Sequence, residues 1–121
     1  MRYKQRSKIY SQNTLVDPKL VAELIRKSSI GKKDTVVEID AGRGIITREL
    51  IRVAGKVIAV EIDKELCLDL KNKFRNIKNL ELICGDFLKF KLPLYHYKVF
   101  ANIPFIITSD VIRKLTSDNN F

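Results

Sequence analysis

Four short segments of this sequence carry side chains whose types and spacing could do chemistry together. The most specific is Asn102-Ile103-Pro104-Phe105. An exocyclic amine on a nucleobase is a poor nucleophile, because its lone pair is delocalised into the ring. The Asn102 side-chain oxygen and the Ile103 carbonyl, both accepting from that amine, would favour its pyramidal form and aim the lone pair. Pro104 would stiffen the loop that holds those acceptors. Phe105 would give the base a face to stack on once it has left its helix. The same tetrapeptide also reads as a plain apolar turn after a strand. The second segment is Glu38-Ile39-Asp40-Ala41-Gly42-Arg43-Gly44. Its glycines would let backbone approach a ligand closely and let the next helix pack near a sheet, although many ordinary turns look alike. Glu61 follows about 20 residues later, the spacing at which an acid grips both hydroxyls of a ribose. Its plain alternative is a solvated carboxylate at a strand end. In Gly85-Asp86-Phe87 a carboxylate could accept from an adenine amino group, or simply cap a helix.

Elements that would position these segments can be read from periodicity. Asp17 suits a cap and Pro18 a first helical position, with Leu20, Val21, Leu24 and Ile25 on one face and Gly31 as the stop. Thr35 to Ile39 reads as a buried β-branched strand, followed after the glycine turn by a helix through Thr47, Leu50 and Ile51 that Gly55 breaks. Val57 to Glu61 is a second strand. Asp63 caps a helix with Leu66, Cys67, Leu70 and Phe74 on one face. Leu80 to Cys84 and Lys98 to Ala101 are the third and fourth strands. A last helix starts at Thr108 or Ser109, with Val111, Ile112 and Leu115 facing inward. Alternation of this kind predicts an α/β fold, a parallel sheet with helices on both faces and right-handed crossovers. It amounts to one mononucleotide-binding half and slightly more. Each of the four chemical segments stands just after a strand, where open α/β sheets bind ligands.

Composition narrows the chemistry. The 121 residues suffice for one domain, and 45% hydrophobic with 31% charged residues describes a soluble globular chain without a membrane-spanning run. A net charge of +9 points to a polyanionic partner, nucleic acid above all, although basic surfaces also serve solubility. Cys67 and Cys84 are unclustered and His96 is the only histidine, so no zinc site and no Cys-x-x-Cys motif are present. Both cysteines are expected as small core residues of a protein from a reducing compartment. Residues 1–16 carry Arg2, Lys4, Arg6 and Lys8 without an acid, interleaved with Tyr3 and Tyr10. That pattern suits a basic arm touching phosphates and stacking on bases. A transit peptide and a frayed tail are the alternatives.

Taken in order, Ser11-Gln12-Asn13-Thr14-Leu15, the glycine turn, Glu61, Gly85-Asp86 and Asn102-Ile103-Pro104-Phe105 resemble the ribosomal RNA adenine N6-methyltransferases. Within them the chain looks most like the Erm-type, erythromycin-resistance enzymes that act on 23S rRNA. The Asn-Ile-Pro-Phe form and the following Ile-Ile-Thr-Ser-Asp-Val-Ile-Arg-Lys-Leu favour that branch over the KsgA-type dimethyltransferases of the small subunit. The resemblance implies a Rossmann-like methyltransferase fold, S-adenosylmethionine as cofactor, ribosomal RNA as partner and a cytoplasmic setting, with no metal and no membrane. On that likeness Gln12, Asn13 and Leu15 would wrap the methionine end of the cofactor, and Asp40, Gly42 and Gly44 would pass beneath it. Glu61 and Ile62 would border the ribose, Asp86 and Phe87 the adenine. Asn102 would stand between cofactor and target amine, with Ile103, Pro104 and Phe105 completing the catalytic set.

Two departures from the family pattern carry expectations. Asp40 stands where the family usually has Gly; at a positive φ, Asp is tolerated better than most residues but less well than Gly, and its charge could repel the cofactor carboxylate or, in another pose, attract the sulfonium, with reduced affinity the expectation. The chain also stops at Phe121, where family members continue with further strands and a small helical RNA-binding domain. Residues 1–16 are then expected as the arm and 17–121 as a partial catalytic domain. A full-length form would be monomeric, whereas the piece alone would be weakly stable or self-associating and turn over little. A non-catalytic nucleic-acid-binding relative and a nicotinamide-dependent oxidoreductase are the rivals from other classes.

Overall fold

The computed structural model describes residues 17–101 and 108–121, and only the backbone of 108–111. Asp17 opens the first helix, α1 (Pro18–Lys27), by accepting from the Lys19 N–H at 3.0 Å, with Pro18 at a position that needs no N–H. The helix ends at Ser28, whose hydroxyl donates to the Ile25 carbonyl, and Ser29 turns the chain with a φ of 62°. The stop therefore falls before Gly31. Only Val21 and Ile25 of the expected face are buried; Leu20 and Leu24 are exposed. A helix resting on a single neighbour buries a narrow stripe, and the i, i+4 pair at 21 and 25 occupies it.

Next come β1 (Thr35–Ile39), α2 (Ile45–Val53), β2 (Lys56–Glu61), α3 (Lys64–Lys73), β3 (Leu80–Cys84), a 3-10 turn (Phe87–Lys89), β4 (Lys98–Ala101) and α4 (Thr108–Thr116). All four strands are parallel, in the order β3-β2-β1-β4. The chain winds outward from β1 to β3, then returns to lay β4 on the other side of β1. That reversal between β1 and β4 is where a doubly wound sheet opens a crevice beyond its strand ends. In register, Ile39 lies between Val60 and Ala101, and Glu61 lies beside Cys84.

Side-chain alternation divides the core. Val36 and Val57 face α1 and α2 with Val21, Ile25, Ile46 and Leu50, while Ala59 packs on Leu70 of α3 and on Phe74 at its C-terminal cap. Val37, Ile39, Ile58 and Val60 point to the opposite face, covered by Phe87, Tyr97 and Leu115. Leu115 is buried as expected, but Ile112 is 52% exposed, so α4 lies on the sheet along a narrower stripe than its apolar residues suggest. The Tyr97 hydroxyl donates to Asp118 and ties the segment after α4 to the base of β4. Among the described residues no helix is long and apolar enough to cross a membrane.

The cysteines depart from expectation. Cys67 is buried on α3, but Cys84 is exposed at the end of the edge strand β3, and the two form a disulfide across a sequence separation of 17. A right-handed crossover returns β3 against the helix that precedes it, which brings their Cα atoms to 5.8 Å. Spacing along the chain carries no trace of that approach. Closing a loop of this size restricts the unfolded chain, so Cys84→Ser should lower stability by about 2–4 kcal/mol in urea without reductant. Adding dithiothreitol should bring wild type down to the variant; coincident midpoints without reductant would show the bridge to be energetically idle.

Candidate functional site

The loop after β1 is built from residues that accept a left-handed backbone. Asp40, Gly42 and Gly44 have φ of 63°, 59° and 85°. At Gly44 a Cβ would come within 2.7 Å of the Phe74 ring and 2.8 Å of Leu70, so those side chains would have to give way, and the φ of 85° itself favours glycine. Asp40 shows that the first of these positions does require positive φ, which costs a non-glycine residue about 1 kcal/mol. The Asp40 and Ala41 N–H groups donate to the Val60 carbonyl, extending the β1–β2 ladder into the turn.

Glu61 is the junction of the site. The Gly42 N–H donates to its Oε1 at 2.7 Å and the Asp63 N–H to its Oε2 at 2.8 Å, while its own carbonyl accepts from the Gly85 N–H at 2.9 Å. One residue thus holds the glycine turn, the start of α3 and the loop after β3. It is fully buried, which excludes the solvated strand-end reading. Burial pushes its carboxyl above the usual range, and the Asp63 and Gly42 N–H groups pull it back. The Asp40 side chain also hydrogen-bonds the Glu61 carboxyl, and the lone pairs that remain give the group acceptor capacity for a ribose hydroxyl. Asp63 in turn caps α3 by accepting from the Glu65 and Leu66 N–H groups, and Ile62 is half-buried between the two acids.

At the end of β3, Asp86 is half-buried and its Oδ1 accepts from the Leu88 N–H at 3.0 Å, capping the 3-10 turn. The capping alternative is therefore real, with one oxygen engaged. Phe87 does not present its ring to a ligand. That ring is core, tilted against Phe90 and covered by the Lys114 ammonium 5.1 Å from its centroid. What Phe87 can offer is backbone. Lys114 of α4 also donates to the Phe87, Leu88 and Phe90 carbonyls, so α4 grips the loop that carries Asp86.

Glu38, which the sequence reading left as part of a motif, is a second buried carboxyl. It lies within β1, points to the α2 side and accepts from the Thr47 hydroxyl. Its Oε2 is buried with no hydrogen-bond partner among the described residues. Burial pushes its pKa to about 8, against the Thr47 hydrogen bond and aided by the charges of Asp40 and Glu61. The signal was legible: one carboxylate inside an otherwise apolar strand. Gln12, Asn13, Leu15, Asn102, Ile103, Pro104 and Phe105 lie outside the described residues.

A parallel sheet covered on both faces, with a glycine turn and a buried acid at successive strand ends, is the architecture of the Rossmann-like methyltransferases. Residues 3–121 match the family "Ribosomal RNA adenine dimethylase", and the chain belongs to that family. It is similar to an rRNA adenine N-6-methyltransferase of Bacteroides fragilis, 36% identical over 89% of this chain and 41% of that one. It is also similar to the ribosomal RNA small subunit methyltransferase A of Moorella thermoacetica, 40% identical over 86% of this chain and 41% of that one. Among solved structures it superposes on the 23S rRNA methyltransferase ErmE with a TM-score of 0.82 and 30% identity, covering 89% of this chain and 44% of that one. The chain thus spans about two fifths of the length of the curated relatives it matches.

Proposed function

We propose that this chain is the cofactor-binding part of an enzyme that methylates the N6 amine of an adenine in 23S ribosomal RNA, with S-adenosylmethionine as donor. The observation that carries the reading is Glu61, buried at a strand end, bonded to two loop N–H groups and keeping lone pairs for a ribose. The glycine turn beside it brings backbone, not side chain, to a ligand. On this reading residues 1–16 are a basic arm and 17–121 the catalytic domain up to the motif of Asn102 to Phe105. Bound S-adenosylmethionine supplies an activated methyl group. Asn102 and the Ile103 carbonyl accept from the target amine and aim its lone pair, Pro104 holds them in place, and Phe105 stacks on the base. The work is positioning, and no covalent enzyme intermediate is required.

The 23S reading rests on Asn102-Ile103-Pro104-Phe105 and implies macrolide, lincosamide and streptogramin resistance in the cytoplasm of the host. Small-subunit RNA is the alternative substrate, supported by the 40% identity to the Moorella protein. Calorimetry should show S-adenosylhomocysteine binding to the chain and NAD failing to bind. Incubation with S-adenosylmethionine and either ribosomal RNA, followed by mass spectrometry, should place methyladenine in 23S; methyladenine in 16S alone would move the assignment to the small subunit.

Asp40 gives this reading a specific consequence. Asp40→Gly relieves the positive φ and removes a buried negative charge next to Glu38 and Glu61. The strain relief acts on fold stability, in free and bound protein alike, whereas removing the charge should tighten S-adenosylhomocysteine about 5-fold. Equal dissociation constants by calorimetry would show that Asp40 does not interfere.

A further inference from the structure

A cleft of about 240 Å³ lies on the helix side of the glycine turn, lined by Pro18, Arg43, Gly44, Ile45, Arg48, Glu49 and Lys73. Its charges are unbalanced. The Arg43 and Arg48 side chains have no ion-pair or hydrogen-bond partner among the described residues, whose ion pairs lie elsewhere. Lys73 donates its ammonium to the Arg43 carbonyl at 2.6 Å, which orients it without neutralising it. Glu49 is the only acid of the lining, and Arg52 already engages it at 3.0 Å. Glu65 and Asp69 border a separate cavity beyond Arg43 and Lys73. Three cations from three elements therefore converge on one opening: the glycine turn, α2 and α3. A stable fold has no need of this, since like charges so gathered repel one another.

We propose that this cleft binds the sugar-phosphate backbone of the RNA substrate. The proposal rests on the RNA-methylating function above and adds a second anchor, on the helix side of the glycine turn. Phosphate contacts of this kind set register and orientation and leave base choice to other groups. Three cations gathered on one opening, in a chain of net charge +9, favour a polyanionic RNA strand over a free small anion.

The test uses the whole chain, an RNA hairpin with one unpaired loop adenosine, and S-adenosylhomocysteine as an independent ligand. Each phosphate contact contributes about 3-fold in affinity between 50 and 200 mM salt. Arg48→Gln should then weaken hairpin binding about 3-fold and flatten the slope of log K against log salt by about 0.7–0.9. Arg48→Glu should weaken it about 10-fold by adding repulsion. Arg43→Gln should behave like Arg48→Gln. Lys33→Glu, an exposed charge reversal off the cleft, should stay within about 2-fold, and S-adenosylhomocysteine affinity should be the same for wild type, Arg48 variants and Lys33→Glu. Equal losses for Arg48→Glu and Lys33→Glu would reduce the effect to diffuse charge and overturn the cleft. So would wild-type chain that binds S-adenosylhomocysteine but not the hairpin, a result that leaves the cofactor assignment standing. Loss of S-adenosylhomocysteine binding by wild type, with the Arg48 effect intact, would overturn the assigned function and keep the cleft as an RNA site.

Discussion

Replacing Glu38 by Gln should flatten the pH dependence of stability between pH 5 and 8 and make the variant the more stable protein at pH 8. The cause is a carboxyl that folding moves into a dry site. In the unfolded chain it ionises near 4.5, and in the folded protein near 8. Between those values the folded state holds a proton that the unfolded state has released, so stability falls as pH rises. This contribution is fully present below about pH 4.5 and lost by about pH 8, at up to about 1.4 kcal/mol per pH unit. Glu61, raised by burial as well, adds a slope of the same sign that the variant retains. Gln matches the shape of the protonated acid, and its carbonyl oxygen can still accept from Thr47, so the two proteins should have similar urea midpoints at pH 5 and diverge above it. Parallel midpoint curves would mean that Glu38 does not titrate in this window. Glu38→Ala should be destabilised at every pH, because it strands the Thr47 hydroxyl and leaves a hole under the turn.

How much of this was legible depends on the range of the forces involved. The bounds of β1, β3 and β4 agree with the expectation residue for residue, because short, largely apolar runs fenced by turn residues state their own ends. For β2 only Lys56 was missed. Asp17 and Asp63 cap as expected, since capping involves neighbours along the chain. Contacts between elements were harder to read. Leu20 and Leu24 suit a helix face as well as Val21 and Ile25 do, and only the presence of α2 on one side decides between the pairs. Cys67 and Cys84 meet because a crossover returns, and nothing in their spacing announces it. Glu61 was placed by its distance from the glycine turn, yet its solvated alternative could be dismissed only once β1 and β3 enclosed β2. Phe87 looked like part of a ligand loop and proved to be core, because the loop is a 3-10 turn that rotates the ring under α4. Glu38 was passed over because the strand pattern absorbed it.

The second large effect is expected at Glu61. Glu61→Gln should weaken S-adenosylhomocysteine binding about 100-fold. A carboxylate is acceptor only, and each of its oxygens here already accepts from a backbone N–H, of Gly42 and of Asp63, with the ribose hydroxyls as further donors on the function proposed. Gln replaces one of those acceptor oxygens by an NH₂, which in either amide orientation faces the Gly42 or the Asp63 N–H, donor against donor. Hydrogen bonds to a charged acceptor contribute about 1.5–3 kcal/mol each, so losing the ribose contacts alone accounts for the factor. A loss of affinity would also follow if Glu61 merely pinned the loops, and the two roles separate in a double cycle. An S-adenosylhomocysteine analogue lacking both ribose hydroxyls should already bind wild type weakly and lose almost nothing more in the variant. If the penalties of variant and analogue simply add, the carboxylate never meets the hydroxyls, and the ribose must be held by a group other than Glu61.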